Sequence, residues 1–214
     1  MKSISLLMTL MILLTAFGLS AQTTIGINAG AAFSNVTLKA GPVSASLESK
    51  TGITAGITLD APLSSNFSFQ PALNFVQKGY RLKDESSKET VNLNYLEVPL
   101  NFVYSTEKNY GFFIGAGPSL AYGISGKDKF SSEGMPDDEE KIKFGSSPDD
   151  VKAFDFGLNA LAGYRTKGAF TISANYNLGL SKLNNSESSD DKSSIKNKYF
   201  GVKIGYRLGQ AKSK

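Results

Sequence analysis

Six charged residues stand where ion-pair or acid–base chemistry would need them. Lys78, Glu97, Asp155, Arg165, Lys203 and Arg207 each fall on the polar side of a segment whose alternate residues are apolar. Charges sunk into such segments either tie neighbouring segments together or line an ion path, and the two outcomes differ only in how much room is left between them. The chain has no histidine, so a Ser-His or Asp-His catalytic unit is impossible and the usual neutral-pH general base is missing. It has no cysteine either, which excludes thiolate nucleophiles, thiolate metal sites, disulfides and a lipidated N-terminal cysteine.

Acidic residues gather at Glu133, Asp137, Asp138, Glu139, Glu140, Asp149 and Asp150, and again at Glu187, Asp190 and Asp191. Oxygen ligands of this kind suit Ca²⁺ or Mg²⁺, but the spacing is not that of an EF-hand, and a solvated charge run is the simpler reading. Neither a metal nor a cofactor is assigned. Gly115-Ala116-Gly117 lies inside a strand pattern rather than between a strand and a helix, so it is no phosphate loop. The net charge of +4 comes without a lysine–arginine block, which argues against a nucleic-acid partner.

The elements that must position the six charges are strands. Phe200, Val202, Ile204, Tyr206 and Leu208 alternate with Tyr199, Gly201, Lys203, Gly205 and Arg207. The same period of two runs through Phe170–Leu180, Phe154–Arg165, Tyr110–Ile124, Tyr95–Tyr104, Phe67–Val76, Ile53–Asp60 and Ile25–Ser34. These eight segments predict an all-β, eight-stranded antiparallel up-and-down transmembrane β-barrel, eight being the smallest even count among single-chain bacterial outer-membrane barrels. No segment after the N-terminal run is apolar for long enough to cross a bilayer as a helix.

The connections alternate in length, as such barrels require. Residues 61–65, 105–109 and 165–168 read as short turns; residues 39–48, 82–89, 125–150 and 182–194 read as longer polar loops. Both ends of the barrel then lie on the short-turn side, giving periplasmic termini. A soluble sandwich or lipocalin-like barrel shares the alternation. Here, however, the polar faces are rich in Gly, Ser, Thr and Asn and supply no apolar core, while the opposite faces would crowd bulky Phe, Tyr, Leu and Ile into one interior. Tyr104, Tyr110, Tyr164 and Tyr206 fit an interfacial girdle at the short-turn rim, with Tyr80, Tyr122 and Tyr176 at other depths.

Residues 1–21 read as a cleavable signal peptide, with Lys2 as the positive start, an apolar run from Ile4 to Leu19 and a small-residue cleavage site at Ser20-Ala21. Residues 22–214 are then the barrel domain.

The stretches Asn94-Tyr95-Leu96-Glu97-Val98-Pro99-Leu100-Asn101-Phe102 and Gly115-Ala116-Gly117-Pro118-Ser119-Leu120 resemble the PorT-like outer-membrane β-barrel family of Bacteroidetes. Members of that family often carry a Tyr-Leu-Glu-(Ile/Val)-Pro-Leu stretch followed by a Gly-x-Gly-Pro strand. The resemblance implies an eight-stranded outer-membrane barrel without an assigned activity; the secretion-system role linked to the type member is not carried over.

The function expected from these residues is structural or interaction-type. A barrel filled by its own side chains would anchor the chain in the bacterial outer membrane, amid outer-membrane lipid, and its extracellular loops would meet surface or envelope proteins. The alternatives are a small ion-conducting pore lined by the six charges and, behind it, an enzyme sited at the rim. Pro99, which lacks a ladder donor, predicts a bulge or an edge-like irregularity near Glu97.

Overall fold

The computed structural model describes residues 23–40, 43–134, 136–147, 150–185 and 194–208. The expected signal peptide and its cleavage site lie outside the described residues. Among the described residues ten strands follow one another: β1 (Thr24–Ala40), β2 (Val43–Ser46), β3 (Glu48–Pro62), β4 (Phe67–Lys83), β5 (Ser87–Ser105), β6 (Gly111–Ser132), β7 (Asp138–Ile142), β8 (Phe154–Arg165), β9 (Phe170–Gly179) and β10 (Ser194–Leu208).

Eight of them close a ring. The order β1-β3-β4-β5-β6-β8-β9-β10 is antiparallel throughout, and β1 returns to β10 in a register that runs from Ile25 opposite Leu208 to Lys39 opposite Ser194. Closure removes every edge from that ring, which is the condition for putting a sheet into hydrocarbon. The two remaining strands are flaps outside it, β2 on β1 and β7 on β6. The ends of β1 and β10 share the short-turn end of the barrel.

Alternation decides which way each side chain faces. Phe112, Ile114, Phe154, Leu158, Ile172 and Ile204 look outward and are half or more exposed, whereas Val76, Tyr95, Glu97 and Val103 on the opposite parity are fully buried. An apolar exterior around a polar interior is the inverse of a water-soluble core, and it matches a barrel whose solvent is lipid. Tyrosines pair with phenylalanines across strands at the short-turn rim, with ring centroids 5.1 Å apart for Phe67–Tyr104, 4.9 Å for Phe112–Tyr164 and 5.0 Å for Phe170–Tyr206. Tyr122–Phe154, at 5.0 Å, marks the other rim.

The long-loop end is more ordered than the sequence pattern implies. The expected loop at 82–89 is a tight connection between Lys83 and Ser87, because β4 and β5 stay paired up to Lys83 opposite Lys88. Much of the expected 125–150 loop is sheet: β6 continues to Ser132 and takes β7 alongside. Within 39–48, β2 folds back on β1. The outward residues there are polar, so a search for outward apolar stripes stops at the membrane edge while the hydrogen-bonded ladder continues beyond it. The irregularity expected near Glu97 falls at Asn94–Tyr95, opposite Ser125 and Gly123, and not at Pro99, which faces Ser119 without a change of register.

Candidate functional site in the barrel lumen

Strand alternation sends the polar residues of all eight ring strands to the barrel axis, and two ion clusters form there. In the first, Lys78 on β4 lies 3.0 Å from Glu97 Oε2 on β5 and 3.2 Å from Asp155 Oδ2 on β8, with all three side chains almost wholly buried. The Tyr199 hydroxyl donates to Glu97 Oε1 at 2.5 Å. Asp155 accepts from Asn197 Nδ2 at 3.0 Å and from the Ser181 hydroxyl at 2.9 Å. The Lys78 ammonium also sits 4.9 Å from the centre of the Tyr95 ring and 5.3 Å from that of Tyr199. A buried ammonium costs several kcal/mol to desolvate, and two carboxylates and two aromatic faces around it supply the compensation.

The second cluster lies toward the short-turn end. Asp60 on β3 faces Arg165 on β8 at 3.4 Å and Arg207 on β10 at 3.0 Å, and Arg207 donates to the Thr24 hydroxyl at 2.6 Å. The Arg165 guanidinium packs over Phe113 at 5.5 Å. Between the clusters runs a relay of amides: Asn175 donates to Asn159 at 3.1 Å, and Asn159 donates to Asn101 at 3.0 Å.

The six charges expected in one lumen network are therefore in the lumen but not in one network. Lys78, Glu97 and Asp155 come together; Arg165 and Arg207 belong to the other cluster. Lys203 joins neither by an ion pair and instead lines a polar cavity of about 120 Å³ in the short-turn half, bordered also by Asp60, Asn101, Asn159 and Arg207. Sequence reasoning missed Asp60, which held the last polar position of its strand pattern, and passed over Tyr95 and Tyr199, which alternation had placed on the inner side as spacers.

Above the first cluster the lumen is closed. Val91, Leu93, Tyr95 and Ala121 form an apolar knot with Tyr80, Ile142 and Phe144 packed on it. The Phe144 ring meets Tyr95 edge-on at 5.6 Å and lies on Gly123, where a Cβ would overlap it. Glycine at 123 thus makes room for a cap. The segment carrying Phe144 is fastened by Asn185, whose Nδ2 reaches the carbonyls of Gly145 at 3.2 Å, Ser147 at 2.9 Å and Asp150 at 2.9 Å. Of the acidic run expected in a loop, Asp138, Glu139 and Glu140 lie in β7. Glu139 there accepts from Lys127 and, at 2.7 Å, from Lys129; these hydrogen bonds hold its carboxyl down to about 2.

A closed antiparallel ring with an aliphatic exterior, aromatic rims and a polar filled interior defines a transmembrane β-barrel. The chain belongs to the outer membrane protein beta-barrel domain family, which matches residues 20–185, and its place is the bacterial outer membrane. No curated protein matches it. Solved structures of similar fold include Ail, the attachment invasion locus protein of Yersinia pestis, with a TM-score of 0.44, 16% identity, and coverage of 87% of this chain and 97% of that one. Neisserial surface protein A has a TM-score of 0.42 and 10% identity over 85% of this chain and 96% of its own. The N-terminal β-barrel domain of Pseudomonas aeruginosa OprF has a TM-score of 0.36 and 10% identity over 87% of this chain and 100% of its own.

Proposed function

We propose that this barrel is a non-conducting, non-catalytic anchor that presents the structures at its long-loop end to surface ligands or envelope proteins. The observation that carries the reading is the blocked lumen: the Lys78–Glu97–Asp155 cluster fills the axis and the Phe144 cap closes the mouth above it. An eight-stranded barrel is about wide enough to be filled by its own side chains, so buried cross-strand pairs leave no continuous water path. The absence of histidine supports a role without general acid–base catalysis.

In this reading the short turns and both ends of the barrel face the periplasm, residues 1–21 are removed on export, and the narrower kinship is with PorT-like barrels of Bacteroidetes through the Tyr95–Phe102 stretch. Orientation is directly measurable because the chain has no cysteine of its own. A cysteine placed at Ser147 on whole cells should react with a membrane-impermeant maleimide, and one at Lys108 should not. The anchor reading is tested by planar-bilayer recording on the refolded protein, which should show no stable conductance. Reproducible, charge-selective current abolished by lumen substitutions would replace it with the pore.

A further inference from the structure

Beyond the apolar belt, β4, β5, β6 and β7 continue as a wall whose two faces carry opposite charge. On β5 the outward parity that gives Leu96, Leu100, Phe102 and Tyr104 to lipid passes through Asn94, Asn92 and Thr90 to Lys88. The register sets Lys127 of β6 opposite Asn92 and Lys141, and Lys129 opposite Thr90 and Glu139, so these lysines share that outward face. The ion pairs from Lys127 and Lys129 to Glu139 confirm the shared face, and both lysines remain more than half exposed. On β10 the outward series Ile204, Val202 and Phe200 likewise ends in Lys198 and Lys196, with Lys198 opposite the outward Leu178.

The inward face of the same wall holds carboxylates instead. Glu89 opposes Phe130, Asp128 opposes both Val91 and Glu140, and Asp138 opposes Phe130, on the parity that buries Val91 and Leu93. A surface charged only for solubility mixes both signs on each face. Here, apart from Glu139, which pairs with Lys127 and Lys129 on the outward face, the sorting follows parity, so the two faces meet different surroundings.

We propose that the outward lysines, above all Lys127, Lys129, Lys141, Lys196 and Lys198, form a cationic collar that seats the phosphorylated headgroups of the outer leaflet. Continuity fixes the occupant: the stripe is the direct extension, strand by strand, of the face that meets acyl chains. At about 3.3 Å per residue and a tilt of about 40°, Lys198 stands roughly 5 Å above Phe200, and Lys127 roughly 8 Å above Ile124. Lys198 and Lys127 thus stand at the depth of the polar headgroup layer, roughly 5 to 8 Å thick on each side of the hydrocarbon, and Lys196 and Lys129, two residues further along their strands, stand roughly 5 Å higher, within reach of it by a lysine stem. Lysine stems reach down along apolar surface and hold the ammonium at the phosphate level. Phosphates there draw basic residues by surface potential and by charge-assisted hydrogen bonds.

The assignment rests on the orientation given above, which the maleimide experiment tests separately. To test the collar, the full-length barrel, refolded and checked by heat-modifiable migration in gels, is titrated in detergent with diphosphorylated lipid A or with phosphatidylcholine. Bound lipid is counted by native mass spectrometry. Wild-type protein should retain lipid A in preference to phosphatidylcholine. Lys127→Ala/Lys129→Ala/Lys141→Ala and Lys196→Ala/Lys198→Ala should each bind it about tenfold more weakly, while Lys108→Ala/Lys167→Ala, at the opposite rim, should bind as wild type. Undiminished retention by both collar variants overturns the proposal. So does equal loss in the opposite-rim variant, or tighter binding of a soluble sulfated oligosaccharide than of lipid A, which would make the collar a glycan site.

Discussion

The Tyr199 hydroxyl donates to the Glu97 carboxylate at 2.5 Å and so joins β10 to β5, strands diametrically opposed in the ring. One side-chain contact therefore spans the whole lumen, and Lys78 then links the same carboxylate to Asp155 on β8. Cross-braces of this kind hold the barrel section without lengthening any ladder.

Removing the cation should be the most damaging single change in that brace. Lys78→Met leaves Glu97 and Asp155 buried without a counter-charge and should cost about 3 to 5 kcal/mol in urea unfolding of the refolded barrel. Neutralising all three positions together, with Glu97→Gln and Asp155→Asn added, should recover most of that loss. Tyr199→Phe removes a hydrogen bond to a charged group and should cost about 1.5 to 3 kcal/mol. A Lys78→Met variant of unchanged midpoint would mean the cluster is not a brace.

Leu158 lies in the middle of the lipid-facing series of β8 and is half exposed. Leu158→Arg should destabilise the barrel by about 2 to 4 kcal/mol in vesicles, provided that position is near the bilayer midplane. Its neighbour Asn159 is a poor tolerant control, because it both donates to Asn101 and accepts from Asn175. Leu161→Gln, beside the polar cavity, is the fairer comparison and should cost less in the same assay.

Asn185 binds the segment under the cap through three carbonyls. Asn185→Ala should loosen residues 143–153 by about 1 to 3 kcal/mol, seen as faster limited proteolysis there while the unfolding midpoint of the barrel stays put. Cleavage at the wild-type rate would show that Phe144 and its apolar neighbours hold the cap unaided.

The Glu139 clamp gives a pH dependence whose sign follows from its depressed carboxyl. Folded, the group titrates at about 2 against an ordinary 4.5, so the attachment of β7 is at full strength above pH 4.5 and fades as the pH falls toward 2. A ¹³C carboxyl titration should place its midpoint near 2, and Lys127→Ala should move it upward. Because the group is exposed, high salt should move it the same way.

The barrel was readable because its outward stripes are set by lipid, and lipid acts on every second residue of every strand. Lumen membership followed from the same parity, which is why all six charged residues are inside. Their partners did not follow. Whether Arg165 meets Asp60 or Asp155 depends on strand tilt and stagger, which alternation does not encode, and residues such as Tyr199 and Asn197 act across the barrel from partners a hundred or so residues away. The wall of β4 to β7 was hidden for a different reason: beyond the hydrocarbon its outward face no longer needs to be apolar, so residues 82–89 read as a loop although β4 and β5 stay paired up to Lys83 opposite Lys88.

Closure through β1 and β10 has a consequence for how the molecule comes into being. The first ring strand to leave the ribosome is the partner of the last, so until β10 is made both flanks of the growing sheet carry unmated backbone donors and acceptors. Hydrocarbon does not accept such flanks. Assembly must therefore wait for the whole chain, because the β1–β10 seam joins residues nearly the full barrel length apart in sequence, and the loop-closure cost of such a distant pairing makes the zipping of the seam a slow final step. A chain cut short before Ser194 would have no seam to close, however sound its other strand pairs.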